Sequence, residues 1–250
     1  MLKLFFMLFF SVNSFAVELP TDLNEAERQE MVRILGISTH TKLLTNPFAM
    51  GGYSGFEFGL SYDIINTKDL NNLKPNPAVD DYQNQILIPQ ISIGKGLYHN
   101  FDLHFHFTPF LQESGITQYG GLMKWSFYQA TFIPLSMSFV GHMSQINING
   151  SYSNVTTGLD LLVGLNVENV AVYFGGGQLQ AESRFQSGTG VQAIVDPTDS
   201  EVNNENLVYE TTRETYTFAG MTINIGEAFL ALQLSKHKDP SYAAKLGMRF

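Results

Sequence analysis

The amino-acid sequence predicts an all-β fold: a transmembrane antiparallel up-and-down β-barrel of about ten strands, with a short N-terminal helix. Three observations lead to this prediction. Ten segments alternate apolar and polar residues, the connections between them alternate between short and long, and the last segment ends the chain on Phe250. Successive side chains of a strand point to opposite faces, so this pattern gives every segment one apolar and one polar face.

The N-terminus has the pattern of a secretory signal peptide. Lys3 precedes an apolar run over residues 4–10, and small residues lead to Ala16 just ahead of Val17. The run is far shorter than the ~20 apolar residues of a membrane-spanning helix, so we expect export and cleavage after Ala16 rather than a membrane anchor. The predicted divisions are a signal peptide (1–16), a periplasmic N-terminal segment (17–52) and the barrel (53–250).

A short amphipathic helix is predicted within the N-terminal segment. Asp22 and Glu25 have the spacing of a capping box, helix-forming residues continue to Leu35, and Gly36 ends them. The helix would lie on the periplasmic membrane surface, or the segment would enter the barrel from the periplasm as a plug. Twelve strands instead of ten would result if part of residues 38–50 joined the sheet.

The alternating segments follow one another from about residue 55 to the end of the chain. They cover approximately 55–64, 87–94, 101–108, 118–127, 133–142, 155–165, 170–177, 208–223, 228–234 and 242–250. In the eighth segment the apolar face begins with Tyr216 and Phe218 and then continues with Ala219, Met221 and Ile223. A phase slip of one residue predicts a β-bulge there.

The connections support an even number of strands with both barrel termini on one side. The short ones are 96–100, 128–131, 166–169 and 225–227, and the opposite set is 66–82, 111–117, 144–152, 181–206 and the shorter 236–240. Short periplasmic turns and longer outer loops are typical of bacterial membrane barrels.

A soluble β-sandwich or a periplasmic lipocalin-like binding barrel would show the same alternation, with the apolar face turned inward. The polar faces here are rich in glycine and serine and poor in lysine and glutamate, and 13% of the residues are aromatic, which favours the membrane barrel. The net charge of −9 disfavours nucleic acid as a partner. The absence of cysteine excludes disulfides and thiolate metal sites.

The last strand resembles the closing strand of Gram-negative outer-membrane β-barrel proteins. Its outer stripe is Tyr242, Ala244, Leu246, Met248 and Phe250, and the stretches 120–126 and 156–160 are similar to strands of small barrels of this kind. The resemblance implies export to the bacterial outer membrane and insertion by the barrel-assembly machinery. Tyr242, Leu246, Met248 and Phe250 would then form the insertion signal of a porin-like monomer surrounded by lipid and lipopolysaccharide.

Turning the polar faces inward predicts which ionisable side chains line the lumen. They are Glu57, Asp63, Asp102, His104, His106, Lys124, His142, Asp160, Lys245 and Arg249. Ten strands enclose a space little wider than the eight-strand barrels whose interior is filled by side chains. Acids and bases are nearly balanced, so we expect them to pair with one another, as buried charges require.

Metal binding and catalysis have weaker signals. His104 and His106 point the same way, about 7 Å apart, and with His142 they would suit Zn²⁺ or Cu²⁺, but the third and fifth strands are not neighbours. An outer-membrane hydrolase would need acid and histidine pairs at the rim, where only Asp63 and His142 are candidates; Ser138 and His142 share a strand without meeting. No cofactor and no catalytic residue is predicted.

The predicted function is therefore a non-enzymatic outer-membrane barrel, either a narrow pore or a closed structural or loop-binding barrel. An outer-membrane hydrolase and a soluble binding barrel are the alternatives. The acidic loop 181–206 is expected to be solvated, with a Ca²⁺ site as the alternative. Its acids are Glu182, Asp196, Asp199, Glu201 and Glu205, opposed by Arg184.

Overall fold

The computed structural model describes residue 19 and residues 25–73, 84–109, 115–130, 132–186 and 207–250. The predicted signal peptide, its cleavage site and the first residues of the capping box lie outside the described residues. The same holds for the acids predicted between 196 and 205. Among the described residues no helix has the length and apolarity to cross a membrane.

The described chain begins with a helix and continues into ten strands. Helix α1 (Glu25–Met31) passes directly into a π-helical turn (Val32–Ile37). Short 3₁₀ turns occupy Gly52–Ser54, Lys68–Asn72 and Tyr98–Asn100. The strands are β1 (Phe56–Asn66), β2 (Gln85–Gly96), β3 (Phe101–Phe107), β4 (Ile116–Gln129), β5 (Leu135–Ile148), β6 (Tyr152–Val167), β7 (Val170–Gln186), β8 (Leu207–Ile225), β9 (Ala228–Lys236) and β10 (Pro240–Arg249).

The ten strands form a closed antiparallel barrel in which each strand pairs with its neighbours in sequence and β1 pairs with β10. The backbones of Phe56 and Phe250 exchange hydrogen bonds of 3.0 and 2.8 Å, which extend the β1–β10 seam to the last residue of the chain. The predicted fold and strand number are confirmed. No strand is left with an unpaired edge, as a sheet in lipid requires.

We call the end at which β1 begins and β10 finishes the turn end. The strands are connected there through residues 97–100, 130–134, 168–169 and 226–227. We call the opposite end the loop end. Its connections are residues 67–84, 108–115, 149–151, 187–206 and 237–239.

The barrel is apolar outside and polar inside. Along β1, Phe56, Phe58 and Ile64 face outward, whereas Glu57 and Asp63 are buried. The outward apolar stripe from Phe56 to Ile64 covers about 26 Å of strand at ~3.3 Å per residue. On a strand tilted by about 40° this stripe spans about 20 Å along the barrel axis, which fits within the ~25 Å apolar band of membrane barrels. This distribution is the reverse of a soluble binding barrel and is that of the outer-membrane fold.

Aromatic side chains gather on the outer wall near the turn end. Trp125 stacks on Phe101 with ring centroids 5.6 Å apart, and Phe127 stacks on Phe139 at 4.9 Å. Girdles of aromatic residues at the edges of the apolar band are a regular feature of membrane barrels, because amphipathic rings favour the lipid–water interface. The turn-end edge of the belt is therefore marked by this cluster.

The bulge predicted in β8 is wrong. The pairing of β8 with β7 is continuous from Ile223 to Leu207. Tyr216 and Phe218 point into the barrel, while Ala219 is exposed on the outside. The apolar face was assigned to the outside at these two aromatic residues, although they point inward and pack in the filled interior of the barrel. A register shift is found instead between β4 and β5, at residues 125–128.

Two of the long connections were also predicted wrongly. The β5–β6 connection is only residues 149–151, with positive φ at Asn149 (51°) and Gly150 (70°), as tight hairpins require. Strand β7 continues to Gln186, so Glu182 and Arg184 are exposed strand residues and not part of a loop. Strands β7 and β8 thus extend past the apolar belt at the loop end.

Candidate functional site

The lumen contains part of the chain itself. Residues 31–50, which we call the lumen segment, are almost entirely buried inside the barrel. The segment begins in the π-helical turn against β6, β7 and β8 and ends at Met50 beside β3. It forms no strand, so the alternative with twelve strands does not apply. The sequence left two placements open, a helix on the periplasmic membrane surface or a segment that enters the barrel as a plug. Residues 31–50 lie inside the barrel, and helix α1 lies at its loop end.

The upper part of the lumen segment packs through apolar side chains. Ile34, Leu35 and Ile37 are buried in one hydrophobic cluster with the inward residues Tyr152 and Leu179 of the wall. Gly36 lies so close to β6 that a Cβ at this position would be 2.9 Å from the Asn154 Oδ1. A glycine is therefore needed for the π-helical turn to lie against the wall.

The lower part of the lumen segment is extended, and side chains of the wall donate hydrogen bonds to its carbonyl groups. From the loop end to the turn end, Asn154 and Thr156 donate to Gly36 (3.2 and 2.8 Å), and Gln118 and Ser144 donate to Thr39 (2.9 and 3.2 Å). Tyr173 then donates to Leu43, and Thr222 donates to Thr45 (3.2 Å). Lys124 donates to Asn46 and Phe48 (2.7 Å each), and Ser138 donates to Pro47 (3.4 Å). Buried backbone carbonyls need such partners. The polar lining of the barrel is thus the set of donors for this segment.

Two buried ion pairs connect the segment region to the wall. Lys42 of the lumen segment lies 3.2 Å from the Asp63 carboxylate on β1. Lys124 on β4 lies 3.0 Å from the Asp102 carboxylate on β3. The same carboxylate accepts the backbone N–H of Met50 at 3.1 and 3.3 Å. Each charge is therefore compensated without access to water.

A third charge cluster lies under the segment at the turn end. The carboxylate of Glu57 accepts hydrogen bonds from Lys245 (2.6 Å), from Arg249 (2.5 Å) and from the Thr45 hydroxyl (2.7 Å). His104 stands 3.8 Å from the same carboxylate. One acid on β1 thus joins the last strand, the third strand and the lumen segment, which ties the barrel seam to its filling.

The remaining histidines surround the upper part of the segment. His40 of the lumen segment packs between His142 and His237, with ring centroids at 5.9 and 5.5 Å. His142 lies 3.1 Å from the Asp160 carboxylate, which also accepts the Tyr216 hydroxyl at 2.7 Å. Within the described ranges, no three histidine and carboxylate side chains are arranged to hold a metal ion. His106 faces the same interior without joining this group.

The candidates for a hydrolytic site are kept apart. Asp63 pairs with Lys42, whereas His142 pairs with Asp160. Ser138 donates to Ser126 at 3.0 Å, away from any histidine. The structure therefore gives the predicted rim residues separate structural partners.

The inward residues of the wall were predicted from the sequence, whereas those of the lumen segment were not. His40, Lys42 and Thr45 stand in an irregular stretch that carries no periodic signal. One signal could have found Lys42. The predicted lumen residues contain four acids but only three lysine and arginine side chains, so one carboxylate was left without a cation.

A groove of about 1350 Å³ lies along the wall of β3 to β8. The exposed side chains of Met123, Met143 and Leu159 line it within the apolar belt. Toward the loop end its border is polar, where Arg213 donates to Gln180 at 2.8 Å. The groove thus passes from an apolar part to a part with a guanidinium group.

Comparisons with solved structures return proteins of very low sequence identity. The N-terminal β-barrel domain of Pseudomonas aeruginosa OprF is 10% identical, with 80% of this chain and 99% of that chain covered and a TM-score of 0.37. Ail, the attachment invasion locus protein of Yersinia pestis, is 10% identical over 78% of this chain and 97% of that one, with a TM-score of 0.32. Neisserial surface protein A is 7% identical over 78% and 96%, with a TM-score of 0.31. No family model and no curated protein matches the sequence.

Proposed function

We propose that this protein is a closed, non-enzymatic barrel of the bacterial outer membrane that is filled by its own lumen segment and acts through its loop end. The series of hydrogen bonds from wall side chains to the carbonyls of residues 36–48 carries this proposal. These bonds come from β4, β5, β6, β7 and β8, so the segment is held on most sides of a narrow interior.

The outer-membrane location rests on the distribution of residues over the barrel. A closed sheet with an apolar outer belt and a charged interior satisfies every backbone group within lipid. In the part of the chain that the structure describes, the belt carries Phe105 and Phe139 with more than half of each side chain exposed, at 57% and 51%. Such rings are stable next to acyl chains and unfavourable in water.

The position of the lumen segment over His142 supports a non-enzymatic function. His142 and Asp160 are the nearest approach to a catalytic pair, and both are buried beneath His40 of the lumen segment. A substrate at the outer rim would meet this segment before it reached the pair. The interactions of this pair with Tyr216 and His40 serve to hold the segment in place.

A lipid acyl chain is proposed to occupy the groove along the outer wall of β3 to β8. A concave apolar surface inside the belt is filled by lipid acyl chains, because leaving it empty would lose their van der Waals contacts. Arg213 at its polar border would face the headgroups, where a guanidinium group suits phosphate. We expect lipopolysaccharide to meet these conditions, the protein to be a monomer, and the terminal strand with Phe250 to serve insertion by the assembly machinery.

Planar-bilayer conductance tests the closed state. Refolded protein covering residues 17–250 is first shown to be folded by its heat-modifiable migration and is then added to the bilayer, with a sixteen-stranded porin as positive control. We expect no steady channels, because the lumen segment blocks the interior. Steady conductance from folded protein would reject the closed barrel and support the narrow pore instead.

A further inference from the structure

We infer that the lumen segment enters the barrel from the outer face, so that helix α1 is displayed on the cell surface. The inference rests on the proposed outer-membrane placement. It assigns to this barrel a further activity, the delivery of its own N-terminal stretch to the outside. The direction of the segment, its connection to β1 and the docking of α1 support this placement.

The direction follows from the order of the partners. The carbonyl of Gly36 accepts from Asn154, two residues after β6 begins at the loop end. The N–H of Met50 donates to Asp102, one residue after β3 begins at the turn end. Between them the partners Lys42–Asp63 and Asn46–Lys124 follow in sequence. The segment therefore passes through the full length of the lumen, from the loop end to the turn end.

The connection to β1 fixes the lower end of this path. After Met50 the chain reverses at Gly51 and Gly52, which have φ values of 86° and 74°. A Cβ at Gly55 would be 2.1 Å from the Met50 carbonyl oxygen, so the chain folds tightly back on itself before β1. The C-terminal end of the lumen segment is thus connected to β1 at the turn end, and its N-terminal end lies at the loop end.

Ion pairs hold helix α1 and the π-helical turn that follows it at the loop end. Arg33 lies 2.7 Å from Glu214 on β8, and Glu30 pairs with Lys238 in the β9–β10 connection. Arg28 lies 3.8 Å from Glu210, which is also on β8. All three partners belong to the loop-end part of the wall, above the apolar belt. Gln29 of α1 is exposed and points away from these contacts.

The compartment follows from the membrane orientation of barrels. Short turns lie in the periplasm and longer connections lie outside the cell. The connections at the turn end are all short, and β1 begins and β10 finishes there. The loop end is therefore the outer end, and α1 becomes part of the outer surface together with the extension of β7 and β8.

Single-cysteine labelling in intact cells tests the inference, since the natural chain has no cysteine. The test variant is Gln29→Cys on α1. The matched controls are Ser151→Cys in the β5–β6 connection at the loop end and Glu227→Cys in the β8–β9 turn, both at exposed positions. Each variant is treated with a membrane-impermeant maleimide before and after permeabilisation of the outer membrane. Heat-modifiable migration shows that each variant is folded.

The expected result is that Gln29→Cys and Ser151→Cys label in intact cells to a similar degree, whereas Glu227→Cys labels only after permeabilisation. Labelling of Gln29→Cys only after permeabilisation, while Ser151→Cys labels in intact cells, overturns the inference. Protection of both, with Glu227→Cys labelled, also overturns it by reversing the barrel. Conductance distinguishes the two proposals: steady channels with the expected labelling reject the closed barrel alone, and silence with protected Gln29→Cys rejects surface display alone.

Discussion

Lys124 offers the most direct test of how the wall holds the lumen segment. Its side chain is fully buried, and its ammonium group donates to the carbonyls of Asn46 and Phe48 at 2.7 Å each and lies 3.0 Å from Asp102. The substitution Lys124→Met keeps the apolar length of the side chain and removes the charge. It leaves two buried carbonyls and one buried carboxylate without this partner.

The magnitude follows from the cost of an uncompensated buried charge. Removing one partner of a buried pair destabilises a protein by about 3–5 kcal/mol. The backbone N–H of Met50 still donates to Asp102, which moderates the loss. We therefore expect a decrease of about 3 kcal/mol in the free energy of unfolding. Replacing both partners, in Lys124→Met with Asp102→Asn, is expected to recover part of it, because no uncompensated charge remains and the amide oxygen can still accept from the Met50 N–H.

The assay is urea unfolding in detergent micelles, followed by heat-modifiable migration. Lys236→Met is the matched control, because Lys236 is exposed at the end of β9 and its loss is expected to change stability by less than about 0.5 kcal/mol. A loss of under 1 kcal/mol for Lys124→Met, or a double variant no more stable than the single one, would refute the proposed role of the ion pair.

Three further changes test other contacts. Burial and the nearby positive charge of Lys42 lower the pKa of His237 to about 4, so the folded protein favours the neutral imidazole. The free energy of unfolding should therefore be at its full value above pH 6.5 and fall by about 2–3 kcal/mol toward pH 4. Urea titrations at several pH values would show this decrease. Gly164→Val places a Cβ 2.2 Å from Pro47 of the lumen segment and is expected to lower stability by about 1–3 kcal/mol in urea unfolding. Arg33→Gln removes the partly exposed pair with Glu214 and should lower stability by less than about 1 kcal/mol, a difference that 0.5 M salt removes.

Each of these changes has a control. His237→Gln should flatten the pH dependence, and an unchanged slope would assign it to other buried histidines, such as His40. Gly141→Val adds its Cβ on the outer face, where the nearest atom is on Leu159 at 3.5 Å, and should be tolerated; an equal loss would show that valine disturbs the strand and not the segment. A salt-independent loss in Arg33→Gln would contradict the electrostatic interpretation.

The barrel was predictable because lipid imposes a strict rule on each strand. Alternation of Phe56, Phe58 and Leu60 with Glu57 and Gly59 can be read locally, since every outward residue meets the same environment. The prediction failed where inward residues were large. Tyr216 and Phe218 had the character of an outer face, although they fill the interior. The sequence shows the period of a strand but not the direction in which its apolar face points.

The lumen segment was not predictable, because its contacts come from many strands at once. The carbonyl of Thr39 is bound by Gln118 and Ser144, which lie on different strands far along the chain. Such bonds require donors in the wall but place no restriction on the identity of the segment residue that accepts. Lys42 is specified more directly, because its ammonium group pairs with the carboxylate of Asp63.

The path of the segment through a closed ring restricts the order in which the protein assembles. With its side chains, helix α1 has the usual helical diameter of about 10–12 Å; it carries Arg28 and Glu30, and Arg33 follows in the π-helical turn. A finished ten-stranded ring with a filled interior offers no passage for it. The segment must therefore be laid against the strands before β1 and β10 pair, and closure of the seam traps it. Substitutions that weaken its docking should reduce the yield of assembled barrel more than they reduce the lifetime of barrels already formed.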